Sequence, residues 1–276
     1  MPLNTDVITQ IFGRVDTITL ANAACVSSHF WFVAKQENMW EEACYSLWPS
    51  TMDPGIRQLI SSSLGGFRKF YASCFPSIAY DDSSENDSNY CNEMKRLHDV
   101  NTGVPSPSDF LWIVDVQYKN KPIFSKFVLG IPYANNFPGW FSESSFRVDM
   151  VNVEEEDGAE DGLPTIMSVD KVGIKDGRFW EHLMDNIMLS WIVINRRTGQ
   201  AVNLSSWCPL AGQRHSSSDS SFLMRFGSIL PAHEILPCKF VQCILEMKFR
   251  ASHSDNGSLK IVEVSMHFED KTGDDV

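Results

Sequence analysis

"TLANAACVSSHFWFVA", Thr19 to Ala34, carries more apolar surface than one helix face needs, and Phe30, Trp31 and Phe32 stand in a row near its end. A helix of a globular unit packs one apolar stripe on its own core and leaves the other side polar. The surplus therefore needs a second owner. Upstream, Val7, Ile8, Ile11, Phe12 and Val15 recur at helical spacing, with Asn4 or Thr5 placed to cap the helix. Gly13 weakens that helix at its end, and Thr17 is placed to cap a second one carrying Leu20, Ala21, Ala23, Ala24 and Val26. After Ser27 and Ser28 a third runs through "HFWFVAKQ". Asn38 is placed to cap a fourth, "MWEEACYSLW", in which Met39, Trp40, Ala43, Cys44 and Leu47 keep the spacing before Pro49. Residues 1–50 read as three or four short helices, a unit of about 45 residues and too small for its own core to suffice.

Downstream, residues 51–80 read as a helical connector, with stretches around Ile56 to Leu64 and Phe67 to Tyr71. Residues 81–109 are rich in Ser, Asp, Asn and Pro, which predicts a linker or long surface loop. Period-two alternation begins at Phe110, where Phe110, Trp112, Val114, Val116 and Tyr118 share one face. "KNK" at 119–121 turns the chain into "PIFSKFVLG" as a hairpin, and "SFRVDMV" alternates again. Trp180, Leu183, Met184, Ile187 and Met188 predict one short helix. A second hairpin turns around "RRTGQ". Val241, Cys243, Leu245, Met247 and Phe249 then alternate in a strand that a loop with Asn256-Gly257 returns into Val262, Val264, Met266 and Phe268. The expected class is α+β: a helical unit, then an antiparallel β-sandwich or barrel-like domain over residues 110–270, with a tail at 271–276.

Composition narrows the function. Asp+Glu number 35 against Lys+Arg 23, a formal net charge of -12, which disfavours nucleic acid or an anionic membrane as the main partner. The start "MPLNTDVITQIFG" lacks the features of a secretory signal, and no segment has the about 18 consecutive apolar residues of a membrane span. The expected location is therefore cytoplasm, nucleus or both, where seven scattered cysteines read as free thiols and the sequons at Asn86, Asn203 and Asn256 carry no glycan. No phosphate-binding Gly loop, nucleophile elbow or paired C-x-x-C is present. His233, Cys238 and Cys243 are a poor metal set, because an odd separation along one strand turns the two thiols to opposite faces. His215 and Asp219 lie in the Ser-rich loop "GQRHSSSDSS", which gives no fixed frame for a triad, and the acid run at 153–162 reads as a solvated loop. No catalytic residue, metal or cofactor is expected.

The first fifty residues resemble an F-box. The family pattern of an entry Leu-Pro-x-Asp, a Leu-rich stripe, a Cys-Val-Ser centre and a closing Leu-Trp stands here as Leu3, Asp6, Val7, Ile8, Ile11, Phe12 and Val15, then Leu20, Ala24, Cys25, Val26, Ser27 and Phe30, then Met39-Trp40. Asn4 occupies the usual Pro position, and Phe30 the usual Trp position with Trp31 beside it. "MWEEACYSLWPST" and "LSWIVINRRTGQAVNLSSW" further resemble a plant group with a β domain behind the box. The resemblance implies docking on a Skp-type adaptor, and through it a cullin, by Leu3, Val7, Ile8, Ile11, Phe12, Leu20, Val26, Phe30, Trp31, Met39 and Trp40. The β domain would then hold an unidentified target protein for ubiquitin transfer. The other owner of those residues is an intramolecular core against the β region. Two further readings stay open: a glycan or small-ligand module using Trp140, Trp180 or Trp207, and a ligase-independent scaffold bound to the adaptor.

Overall fold

The computed structural model describes residues 4–75, 106–130, 147–152, 165–168, 178–214, 221–231, 240–251 and 258–269. The acidic run at 153–162, the Asn256-Gly257 turn, the tail at 271–276 and all but the end of the expected linker lie outside them. The chain divides into two compact units, Met1–Phe75 and Pro76–Val276.

The first unit holds α1 (Thr5–Phe12), α2 (Thr17–Ala24), α3 (Ser28–Ala34), α4 (Glu37–Leu47), a short 3-10 turn (Pro49–Met52), α5 (Pro54–Ser63) and α6 (Phe67–Cys74). Asn4 caps α1 by accepting from the Asp6 N–H at 3.0 Å. Two expected caps move by one or two residues. Asp16 rather than Thr17 caps α2, because its carboxylate accepts from both the backbone N–H (2.9 Å) and the hydroxyl (2.6 Å) of Thr19. Asn38 lies inside α4, which starts at Glu37 with no side-chain bond at its cap. Tertiary contacts set that start: Trp40 Nε1 donates to Ala34 O at 2.6 Å, and the Glu37 carboxylate accepts from the Phe67 N–H at 2.7 Å. The latter approach needs a glycine at 66, whose φ is 95° and where a Cβ would stand 2.8 Å from Glu37 Oε2.

The helices at residues 54–74 belong to this same unit. Trp48, fully buried, meets Phe70 at 5.4 Å edge-on and Tyr71 at 5.8 Å, while Trp40 meets Tyr71 at 5.2 Å. Each such ring removed from water stabilises by about 1.5–3 kcal/mol in transfer terms, so α4 and α6 together supply the core that fifty residues alone lack.

The second unit is built on two antiparallel sheets. One has the order β2-β1-β5-β6, from β1 (Phe110–Tyr118), β2 (Lys121–Leu129), β5 (Ile187–Asn195) and β6 (Gln200–Asn203). The other has the order β3-β10-β9-β8-β7, from β3 (Arg147–Asn152), β7 (Ala211–Arg214), β8 (Ser221–Pro231), β9 (Phe240–Ala251) and β10 (Ser258–Glu269). β4 (Thr165–Ser168) also pairs with β10. Lys119 and Asn120, at φ 51° and 58°, make the two-residue turn of the first hairpin, since both central positions of such a turn need positive φ. One hydrophobic cluster takes Trp112, Val114 and Val116 from one sheet and Met224, Leu245, Met247 and Phe249 from the other. Side-chain bonds tie the sheets as well: Lys126 Nζ reaches Met150 O, and the Ser228 hydroxyl donates to Leu204 O at 2.8 Å.

Three expectations change here. The short helix α7 (Arg178–Asn186) ends sooner than its apolar spacing suggests, and Ile187 and Met188 open β5. Pairing with Tyr118 and Gln117 of β1 gives those two residues a ladder that a longer helix would forgo. Val262 leaves the core face because a bulge between Ile261 and Glu263 shifts the register; Leu259 and Ile261 face the core before it, Val264 and Met266 after it. β1 is buried on both faces, since Leu111, Ile113, Asp115 and Gln117 are as covered as the alternating set.

Candidate functional site

α1 carries apolar residues on two faces about 100° apart. Ile8 and Phe12 turn inward and are buried, while Val7 and Ile11, one position earlier in each case, are 45% and 51% exposed. α3 repeats this arrangement: Phe30, Val33 and Ala34 form an i, i+3, i+4 stripe toward the unit's own core, and Trp31 and Phe32 point out. Phe30 meets Phe12 edge-on at 5.3 Å, and Thr5 Oγ1 lies 3.1 Å from His29 Nε2, so α1 and α3 are fixed against each other. Lys35 Nζ sits 4.5 Å from the Trp31 ring and 5.0 Å from the Phe32 ring, which keeps both rings spread over the outer face. Phe30 thus lies toward the interior, half-buried, and Trp31 at the surface.

Of the residues expected at an adaptor interface, Val7, Ile11, Val26 and Trp31 are exposed and Phe30 is half-buried. Ile8, Phe12, Leu20, Met39 and Trp40 are buried in the unit, because its short helices need inward positions to close a core. Leu3 lies outside the described residues. Ile18 and Phe32, 55% and 54% exposed, join the surface without having been singled out. The signal for them was geometric: residues two apart on a helix stand roughly 200° apart, so Leu20 inward puts Ile18 outward and Phe30 inward puts Phe32 outward. Six of the large apolar side chains exposed among the described residues thus lie between positions 7 and 32, which concentrates them on α1, α2, α3 and the turns between them.

These exposed side chains offer dispersion and dehydration. The thiols of Cys44, Cys74 and Cys243 are pushed up by burial, so they stay protonated and unreactive. Among the described residues no group of three or more His, Cys, Asp or Glu is placed to hold a metal. His215, Asp219, His233 and Cys238 lie outside those residues, and Cys243 faces the core of the second unit. Of the tryptophans considered for stacking, Trp140 and the side chain of Trp180 are also outside. Trp207 is half-buried at φ 68°, its carbonyl accepting from the Leu189 N–H at 3.0 Å. No helix among the described residues is long and apolar enough to cross a membrane.

F-box protein At3g44326 of Arabidopsis thaliana is 27% identical over 279 residues, an alignment that covers 98% of this chain and 68% of that protein. F-box protein At2g27310 of the same plant is 29% identical over 274 residues, covering 98% of this chain and 73% of the relative. The chain is similar to plant F-box proteins. F-box protein GID2 of Oryza sativa subsp. japonica is 39% identical over 72 residues, 25% of this chain and 34% of its own length. This F-box likeness sits in the amino-terminal region that forms the helical unit, while the longer alignments run on through the β-rich unit. No family model matches the chain, and no solved structure does.

Proposed function

We propose that the chain is the substrate-receptor subunit of a ubiquitin ligase built on a Skp-type adaptor and a cullin. The exposed apolar residues of α1 to α3 carry this reading, in a chain similar to F-box proteins along nearly its whole length. Val7, Ile11, Ile18, Val26, Trp31 and Phe32 serve no described core of the chain, and burying such side chains against an adaptor helix is worth about 1.5–3 kcal/mol each before association costs are subtracted. The β-rich unit presents a target protein, and transfer is promoted by proximity, with the chemistry supplied by other subunits. The complex works in the cytoplasm, the nucleus or both.

The test is co-purification of the full chain with a Skp-type adaptor. A Val7→Asp, Trp31→Asp double variant should lose capture while keeping the wild-type unfolding midpoint, because both side chains are exposed. Undiminished capture by that variant would put the docking surface elsewhere.

A further inference from the structure

We propose that Lys35 is a positioning residue for adaptor docking, one that acts through Trp31 and Phe32 by holding their rings in place before a partner arrives. This deepens the receptor reading and rests on it for the identity of the partner. Trp31 and Phe32 are 46% and 54% exposed, and neither meets another ring among the described residues. Lys35 follows Trp31 by four residues and Phe32 by three, the two spacings that bring side chains together on one side of a helix. Its Nζ lies 4.5 Å from the centre of the Trp31 ring and 5.0 Å from that of Phe32, within reach of the attraction between a cation and a ring face. The backbone that carries it is fixed: Lys35 closes α3 at φ -77° and ψ -7°, and its N–H donates to Trp31 O at 3.0 Å.

The ammonium has no other holder among the described residues. No ion pair there involves Lys35, although the chain has 35 Asp+Glu and Glu37 is two residues on. The Glu37 carboxylate instead accepts from the Phe67 N–H at 2.7 Å. A similar contact in the second unit has a different consequence. Lys119 Nζ lies 5.2 Å from the Tyr118 ring, but that ring is buried and its hydroxyl lies 2.7 Å from His182 Nε2, so the cation orders nothing that the core does not already hold. Trp31 and Phe32 lack such support among the described residues. An exposed ring turns among rotamers, and a partner that packs on it must stop that motion at a cost in affinity. Rings already held by Lys35 lose less freedom on docking. Lys35 thereby raises affinity through the order of the rings, with no contact of its own to the adaptor.

The test measures the order parameter of the Trp31 indole N–H in the full chain by NMR relaxation, with the signal assigned by its loss in Trp31→Phe, alongside the affinity for a Skp-type adaptor. Lys35→Gln removes the charge and Lys35→Arg keeps it. In Lys35→Gln the order parameter should fall and adaptor affinity should drop about two- to fivefold, the size of one exposed cation–ring contact. The unfolding midpoint should stay at the wild-type value, because Lys35 is exposed. Lys35→Arg should keep both the order and the affinity, since a guanidinium also stacks on ring faces. The proposal is overturned if the order parameter is the same in Lys35→Gln and wild type, or if it falls equally in Lys35→Arg. Adaptor affinity unchanged in Lys35→Gln overturns it as well. Capture of no adaptor by the wild-type chain sinks the receptor reading instead, and the ordering of the rings by Lys35 then stands or falls on the order parameter alone.

Discussion

α1 to α3 and α4 to α6 are built from the same kinds of residue and use them differently. The later three helices turn their rings inward, with Trp40, Trp48, Phe67, Phe70 and Tyr71 all buried, while the earlier three leave Val7, Ile11, Ile18, Trp31 and Phe32 in solvent. One trio closes the unit's core, and the other leaves apolar area in solvent. Burial, not composition, distinguishes a core from an interface.

Substitutions that exchange those roles are the ways to break the contrast. Trp48→Ala should have the largest effect, about 3–5 kcal/mol of stability in chemical denaturation, because the ring is fully buried against Phe70 and Tyr71. Trp31→Ala should leave stability within about 0.5 kcal/mol, as exposed positions do. The Val7→Asp, Trp31→Asp pair should cost about a hundredfold in adaptor affinity, since truncating a few interface anchors removes most of the binding energy. A stability loss from Trp31→Ala as large as that from Trp48→Ala would erase the distinction. In the second unit, Gly227→Ala should cost about 1–3 kcal/mol of stability by the same measurement, because the added Cβ would stand 2.4 Å from the backbone oxygen of Cys243.

Two smaller changes sharpen the comparison by separating local from tertiary caps. Glu37→Ala removes the carboxylate that holds the start of α6 and should cost about 1 kcal/mol. The Asp16 carboxyl is held below the usual carboxylate range by hydrogen bonds from Thr19, the hydroxyl first and then the backbone N–H. Its folded pKa lies under the unfolded one, so its contribution is present above the unfolded value and is lost as pH falls through the folded value. Asp16→Ala should therefore flatten a small part of the acid limb of the stability curve and leave stability at alkaline pH parallel to wild type. An unchanged acid limb would show that the cap does not act through its charge.

How much was legible follows the range of the forces. Asn4 as the α1 cap and the alternation of Val241, Cys243, Leu245, Met247 and Phe249 are local features, and the structure holds them where the pattern puts them. The start of α4, the end of α7 at Asn186 and the turn of Val262 away from the face of Val264 and Met266 depend on partners distant in sequence: Phe67 for Glu37, Tyr118 for Ile187, and the β9 register for β10. Periodicity has no term for these.

The site divides in the same way. The sequence by itself determined that the amino-terminal helices hold more apolar residues than one face can use, and that their order resembles an F-box. Only the tertiary structure decided which of them are spare, sending Ile8, Phe12, Leu20, Met39 and Trp40 inside and leaving Val7, Ile11, Val26 and Trp31 outside. The physical reason is that a helix of about eight residues has no fixed inner face until its neighbours arrive, and the contacts of Phe12 with Phe30 and of Trp40 with Tyr71 are what choose it.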